Sequence, residues 1–136
     1  LHPQVYAQLL GERIEKHQVK AFLVNTGWTG GPYGVGHRMK LEYTRTMIRA
    51  AMKGDLDNVA EIVHPIFKLR MPTQCPRVPS ELLNPSNTWG DPTEYNRKAL
   101  ELAKHFHENF LQFKDMPEDI KRVNQRMLDQ STPSFV

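Results

Sequence analysis

The sequence predicts an α/β fold, and three observations carry that expectation. A short, continuous apolar run, Ala21-Phe22-Leu23-Val24, leads into Asn25, Thr26 and a glycine-rich stretch. An amphipathic helical pattern precedes this run, and another follows the glycines. The order helix, short link, buried strand, glycine loop is the grammar of an open α/β sheet. Ligands in such sheets sit beyond the carboxyl ends of the strands, so the loop after Val24 is the first place to look for chemistry.

Each element has its own signal. Val5, Leu9, Leu10 and Ile14 form one apolar stripe, with Pro3 at the first turn and Lys16 and His17 at the end, so the chain is expected to open with a helix. Ala21–Val24 reads as a strand buried on both faces. The loop from Gly27 to Arg38 holds five of the eight glycines. A second helix is expected from about Glu42 to Lys53, with Tyr43, Met47, Ile48 and Ala51 inward and Gly54 as its stop. One or two short strands are expected around Ile62-Val63-His64 and Lys68-Leu69-Arg70-Met71, where Pro65, Pro72 and Pro76 favour edges and turns. From Cys75 to Gly90 the chain reads as loop, with a turn of helix at Ser80–Leu83. Asp91, Pro92 and Glu94 announce the clearest helix, whose expected stripe is Tyr95, Ala99, Leu102, Phe106, Phe110 and Phe113. Pro117 opens a final helix with Ile120, Val123 and Met127 inward, and residues 131–136 read as a loose tail. There is one strong strand and at most two or three weak ones, three to four helices and no internal repeat. A doubly buried strand needs neighbours on both edges and helices on both faces. The sheet is therefore expected to be incomplete on its own, and the chain to be a piece of a larger α/β protein.

Composition bounds the function classes. The 136 residues are 39% hydrophobic and 24% charged, a globular balance. No run approaches the ~18 apolar residues of a membrane helix, and the first residues lack the pattern of a secretory leader. The net charge of +3 is a small excess. It alternates in sign along the helices, as in Glu12-Arg13, Glu15-Lys16 and Asp119-Lys121, which reads as solvated helix faces rather than a nucleic-acid surface. A single cysteine, Cys75, excludes a disulfide framework and a thiolate zinc site. A reduced, cytoplasmic setting fits it.

The glycine loop could bring backbone N–H groups to a ligand such as a phosphate. It matches neither GxxxxGK[ST] nor GxGxxG, because Gly36 is followed by His37 and Arg38. Arg38 offers a planar cation to a base or phosphate, and a surface pair with Glu42 would explain it as well. Thr44 has a hydroxyl for a base edge, or for its own helix backbone. His105 and His107 are two apart and face different directions on a helix, while His37 and His64 have no partner at metal-ligand spacing. Cys75 has no activating base nearby in sequence. Trp28 and Trp89 read as packing or loop anchors.

These residues carry a resemblance. The run Leu23-Val24-Asn25-Thr26-Gly27-Trp28-Thr29-Gly30-Gly31-Pro32-Tyr33-Gly34-Val35-Gly36-His37-Arg38-Met39 resembles ATP-dependent phosphoenolpyruvate carboxykinases. So do Tyr43-Thr44-Arg45, Gly54-Asp55-Leu56-Asp57-Asn58, Leu83-Asn84-Pro85, Asn87-Thr88-Trp89 and Glu108-Asn109-Phe110. The similarity runs over about residues 1–113 and is to the C-terminal quarter of the family enzyme. Residues 116–136 form a poorly matched tail. The resemblance implies the C-terminal part of one nucleotide-binding domain over residues 1–136. It implies an enzyme that converts oxaloacetate and ATP to phosphoenolpyruvate, ADP and carbon dioxide in gluconeogenesis, with Mg²⁺ on the ATP and Mn²⁺ at the substrate.

By the same resemblance Arg38, Met39 and Thr44 line the ATP site near the adenine. His37 stands where a Lys or similar residue is common, which puts an imidazole beside that site. The family's phosphate loop, metal ligands and oxaloacetate-gripping arginines have no match here. No catalytic or metal-ligating residue is therefore expected in this chain, and no turnover from it alone. The implied partners are ATP and the rest of a carboxykinase chain, or a self-associated copy, with no nucleic acid and no membrane. The competing reading is a non-catalytic structural or interaction subunit derived from the carboxykinase.

Overall fold

The computed structural model describes residues 2–128. Expectations for residues 131–136 lie outside the described residues, as does that for the Met127 side chain. The chain divides into two compact units: Phe22–Ala99, and the residues up to Ala21 together with those from Leu100 onward. Within the described residues there are four α-helices and two short, two-stranded antiparallel sheets.

The unit Phe22–Ala99 opens with the largest departure from expectation. Ala21–Val24 forms no strand, and Leu23 is 85% exposed. A strand buried on both faces needs a hydrogen-bonded neighbour on each edge, and no described residue pairs with this segment. Strand β1 (Trp28–Thr29) instead follows, and pairs with β2 (His37–Arg38) across the glycine loop. Helix α2 spans Leu41–Lys53. It ends where Gly54 enters the left-handed region at φ 77°, and its N–H reaches the Ala50 and Ala51 carbonyls. The two short strands expected here form as β3 (Glu61–Val63) and β4 (Arg70–Pro72), and the structure pairs them as an antiparallel hairpin with Pro72 at its end. The Thr73 N–H and hydroxyl both donate to the Ala60 carbonyl, at 2.9 and 2.8 Å, and extend the pairing.

The core of this unit gathers Ala50 and Leu56 with Cys75 and Val78, flanked by Tyr43, Met47, Ala51, Leu82 and Leu83. Three of the four residues expected inward on α2 pack here. Ile48, the fourth, is exposed. Burial, and then the charge of Asp55, raise the Cys75 thiol above its ordinary value, so it stays protonated. Two 3₁₀ turns, Ser80–Leu83 and Pro85–Thr88, follow the core loop.

Helix α3 (Pro92–Phe110) starts as its sequence dictates, with the Asp91 carboxylate accepting the Thr93 N–H at 2.8 Å. Glu94 turns to Arg97, whose Nε and Nη2 donate at 2.8 and 2.6 Å, rather than back to the cap. The buried line of the helix is Tyr95, Ala99 and Ala103, while Leu102 and Phe106 are exposed. The expected aromatic stripe is thus only partly inward.

In the other unit, helix α1 (Pro3–His17) is capped by His2 and has no buried residue, so its apolar stripe is not covered. Helix α4 (Glu118–Leu128) turns Asn124 inward, where its amide donates to His107 Nδ1 at 2.9 Å, and leaves Val123 exposed.

Candidate functional site

The β1–β2 ribbon builds the candidate site. Its register sets Trp28 opposite Arg38 and Thr29 opposite His37. Directly opposed residues share a face, and the two pairs take opposite faces. Trp28 and Arg38 are both exposed. Thr29 is buried. The ribbon thus turns an aromatic ring and a guanidinium outward together.

Glycines make the connection between the strands. Gly30, Gly31 and Gly34 hold φ values of 81°, 151° and 89°, a region that disfavours side chains. Gly36 is fixed for a second reason. A Cβ there would lie 2.5 Å from the Gly31 carbonyl oxygen and 2.8 Å from that of Thr29. Its own N–H donates to the Pro32 carbonyl at 2.9 Å. Gly30 leaves room for the His37 ring, which would touch a Cβ at 3.0 Å.

The ribbon is held at both ends. At one end the Met39 N–H donates to the Gly27 carbonyl at 2.8 Å. Asn25 accepts the Gly27 N–H and donates to the Trp28 carbonyl, at 2.9 and 3.1 Å. At the other, Gly30 N–H and the Thr29 hydroxyl both donate to Thr88 Oγ1 at 3.2 Å.

The three residues singled out from the sequence differ in setting. Arg38 is exposed at the end of β2, and among the described residues no ion pair engages it, so the pair with Glu42 does not form. Met39 follows directly and is 7% exposed. Thr44 lies in the first turn of α2, 5% exposed, with its N–H on the Lys40 carbonyl. All three belong to one unit, and the ribbon and the start of α2 place them. Spacing does not point to Thr88 as an anchor, since its partner Gly30 lies 58 residues away.

A second polar cluster also escapes local patterns. His64, 4% exposed, accepts the Ile66 and Phe67 N–H groups on Nδ1, at 3.2 and 3.1 Å. That leaves its proton on Nε2, 2.7 Å from the Tyr95 hydroxyl. Burial, and then the positive charge of Lys68, lower the imidazole below its ordinary value. Among the described residues no three His, Cys, Asp or Glu side chains stand together to hold a metal. No described helix is long and apolar enough to cross a membrane.

Comparison with known proteins places this ribbon in a family. The family model described as phosphoenolpyruvate carboxykinase matches residues 1–81, the region that contains the ribbon and α2. The chain belongs to the ATP-dependent phosphoenolpyruvate carboxykinase family. It is 61% identical over 127 residues to the phosphoenolpyruvate carboxykinase (ATP) of Alkaliphilus oremlandii, covering 93% of this chain and 24% of that protein. To the carboxykinase (ATP) of Caldanaerobacter subterraneus it is 56% identical over 126 residues, again 93% and 24%. To that of Flavobacterium johnsoniae it is 54% identical over 115 residues, 85% of this chain and 22% of the relative. The chain therefore spans about a quarter of the length of the carboxykinases it matches.

Proposed function

We propose that this chain is the C-terminal, ATP-binding portion of a phosphoenolpyruvate carboxykinase and forms part of one nucleotide-binding domain. The complete enzyme would convert oxaloacetate and ATP to phosphoenolpyruvate, ADP and carbon dioxide in the cytoplasm. The observation that carries this reading is Arg38, an exposed guanidinium free of described ion pairs, on a ribbon pinned at both ends.

Arg38 is proposed to lay its planar cation against the adenine ring, where the quadrupole of a purine face favours it. Met39 has its N–H committed to Gly27, so its contribution is apolar contact or its carbonyl. Thr44 would offer its hydroxyl from the first turn of α2, to the base or the ribose. The phosphates and the divalent metals would be held by residues of the remaining carboxykinase sequence, the proposed partner, or of an associated copy. Phosphoryl transfer depends on positioning and on charge neutralisation by those groups, so this chain alone is expected to turn nothing over.

The test is Arg38→Gln in a full-length carboxykinase carrying this segment. Removing a cation that touches the nucleotide alone should raise the KM for ATP roughly ten- to a hundredfold. The KM for oxaloacetate should stay within twofold. An unchanged KM for ATP would overturn the assignment.

A further inference from the structure

The structure assigns Thr88 as a positioning residue for the nucleotide site, a role that rests on the proposed function of Arg38. A threonine hydroxyl has one proton to donate and two lone pairs to accept with. All three capacities of Thr88 are used. It accepts the Gly30 N–H and the Thr29 O–H, each at 3.2 Å, and donates to the Pro85 carbonyl at 2.9 Å.

Two of these bonds end on β1 or the residue after it, and the third on the 3₁₀ turn Pro85–Thr88. One oxygen therefore ties the ribbon to a segment far along the chain. Strand β1 is two residues long, too short to fix its own geometry. It is also the strand opposite Arg38. The other end of the ribbon is closed by backbone and by Asn25, all within residues 25–39. Thr88 is the long-range side-chain tie found for it among the described residues. The Gly30 position adds to the fit, since a Cβ there would meet the Thr88 carbonyl oxygen at 3.4 Å as well as His37.

Removing the hydroxyl while keeping the shape, as in Thr88→Val, leaves the Gly30 N–H without its partner and frees the strand facing Arg38. Small misplacements of a binding group are costly, so the effect should fall on the ligand that Arg38 holds. Thr88→Ser keeps all three bonds.

The experiment measures steady-state kinetics of the full-length carboxykinase carrying this segment, with Arg38→Gln as reference. Thr88→Val should raise the KM for ATP about five- to tenfold, with the KM for oxaloacetate and kcat within twofold, and Thr88→Ser should restore it. If Arg38→Gln raises the KM for ATP and Thr88→Val does not, the positioning role is overturned and the proposed site stands. Equal losses for both substrates with a lowered Tm, or no rescue by Ser, make Thr88 a packing residue and also overturn it. If Arg38→Gln itself has no effect, the proposed site falls and the role of Thr88 with it. Should Thr88→Val not fold, Thr29→Val removes one of the three bonds. It should raise the KM for ATP about two- to threefold, and an unchanged value overturns the role.

Discussion

His64 and Tyr95, 31 residues apart, meet in a 2.7 Å hydrogen bond that ties the hairpin β3–β4 to the start of helix α3. The imidazole donates from Nε2, because Nδ1 already accepts two backbone N–H groups. Tyr95 also packs edge-on against Trp89, at 5.5 Å between ring centres. Tyr95→Phe keeps that ring contact and removes only the acceptor. The buried Nε2–H is then unpaired, which should cost about 1–3 kcal/mol in urea denaturation. A loss under a few tenths would mean that water replaces the hydroxyl.

The same imidazole makes stability depend on pH. Its folded value is lowered, by burial first and then by Lys68, so the unfolded chain binds the proton more readily. Stability from this group is therefore full above the ordinary imidazole value of about 6.5 and is lost as pH falls from there through the lowered folded value. His64→Asn offers an acceptor to the same N–H groups without titrating. The fall in thermal midpoint between pH 7 and pH 5 should be shallower in His64→Asn than in the wild type, by differential scanning fluorimetry. Parallel curves would remove His64 as the source.

Two glycines should respond oppositely to alanine. In Gly36→Ala the new Cβ meets two backbone carbonyl oxygens at 2.5 and 2.8 Å, which side-chain movement cannot relieve. It should destabilise by about 1–3 kcal/mol. Gly11 lies within α1 with open space where the Cβ would go. Gly11→Ala should stabilise by about 0.5–1 kcal/mol through helix propensity and reduced unfolded-state freedom. Chemical denaturation midpoints of the two variants check both signs.

Local chemistry made several elements legible in the sequence. Gly54 stops α2 and Asp91 caps α3 because both signals act within a few residues. The prolines held β3 and β4 to a short hairpin. Ala21–Val24 misled, because an apolar run says that a strand wants neighbours and not that they are present. On α3 the periodicity favoured the large side chains, Leu102 and Phe106, while the face that packs is built on Ala99 and Ala103. The site divides the same way. The glycine loop and Arg38 stand out in one stretch of sequence. Thr88 and the His64–Tyr95 pair depend on contacts 58 and 31 residues apart, which no window of sequence contains.

On the proposed function, this chain supplies the nucleotide end that completes a carboxykinase. The most direct measurement adds the purified chain to the remaining portion of a carboxykinase and follows phosphoenolpyruvate formed from oxaloacetate, ATP and Mn²⁺, with the mass of the species read by light scattering. The expected result is no product from either part alone, and ATP-dependent product from a 1:1 complex. Turnover by the isolated chain, or a chain that stays monomeric and leaves its complement inactive, would contradict the account.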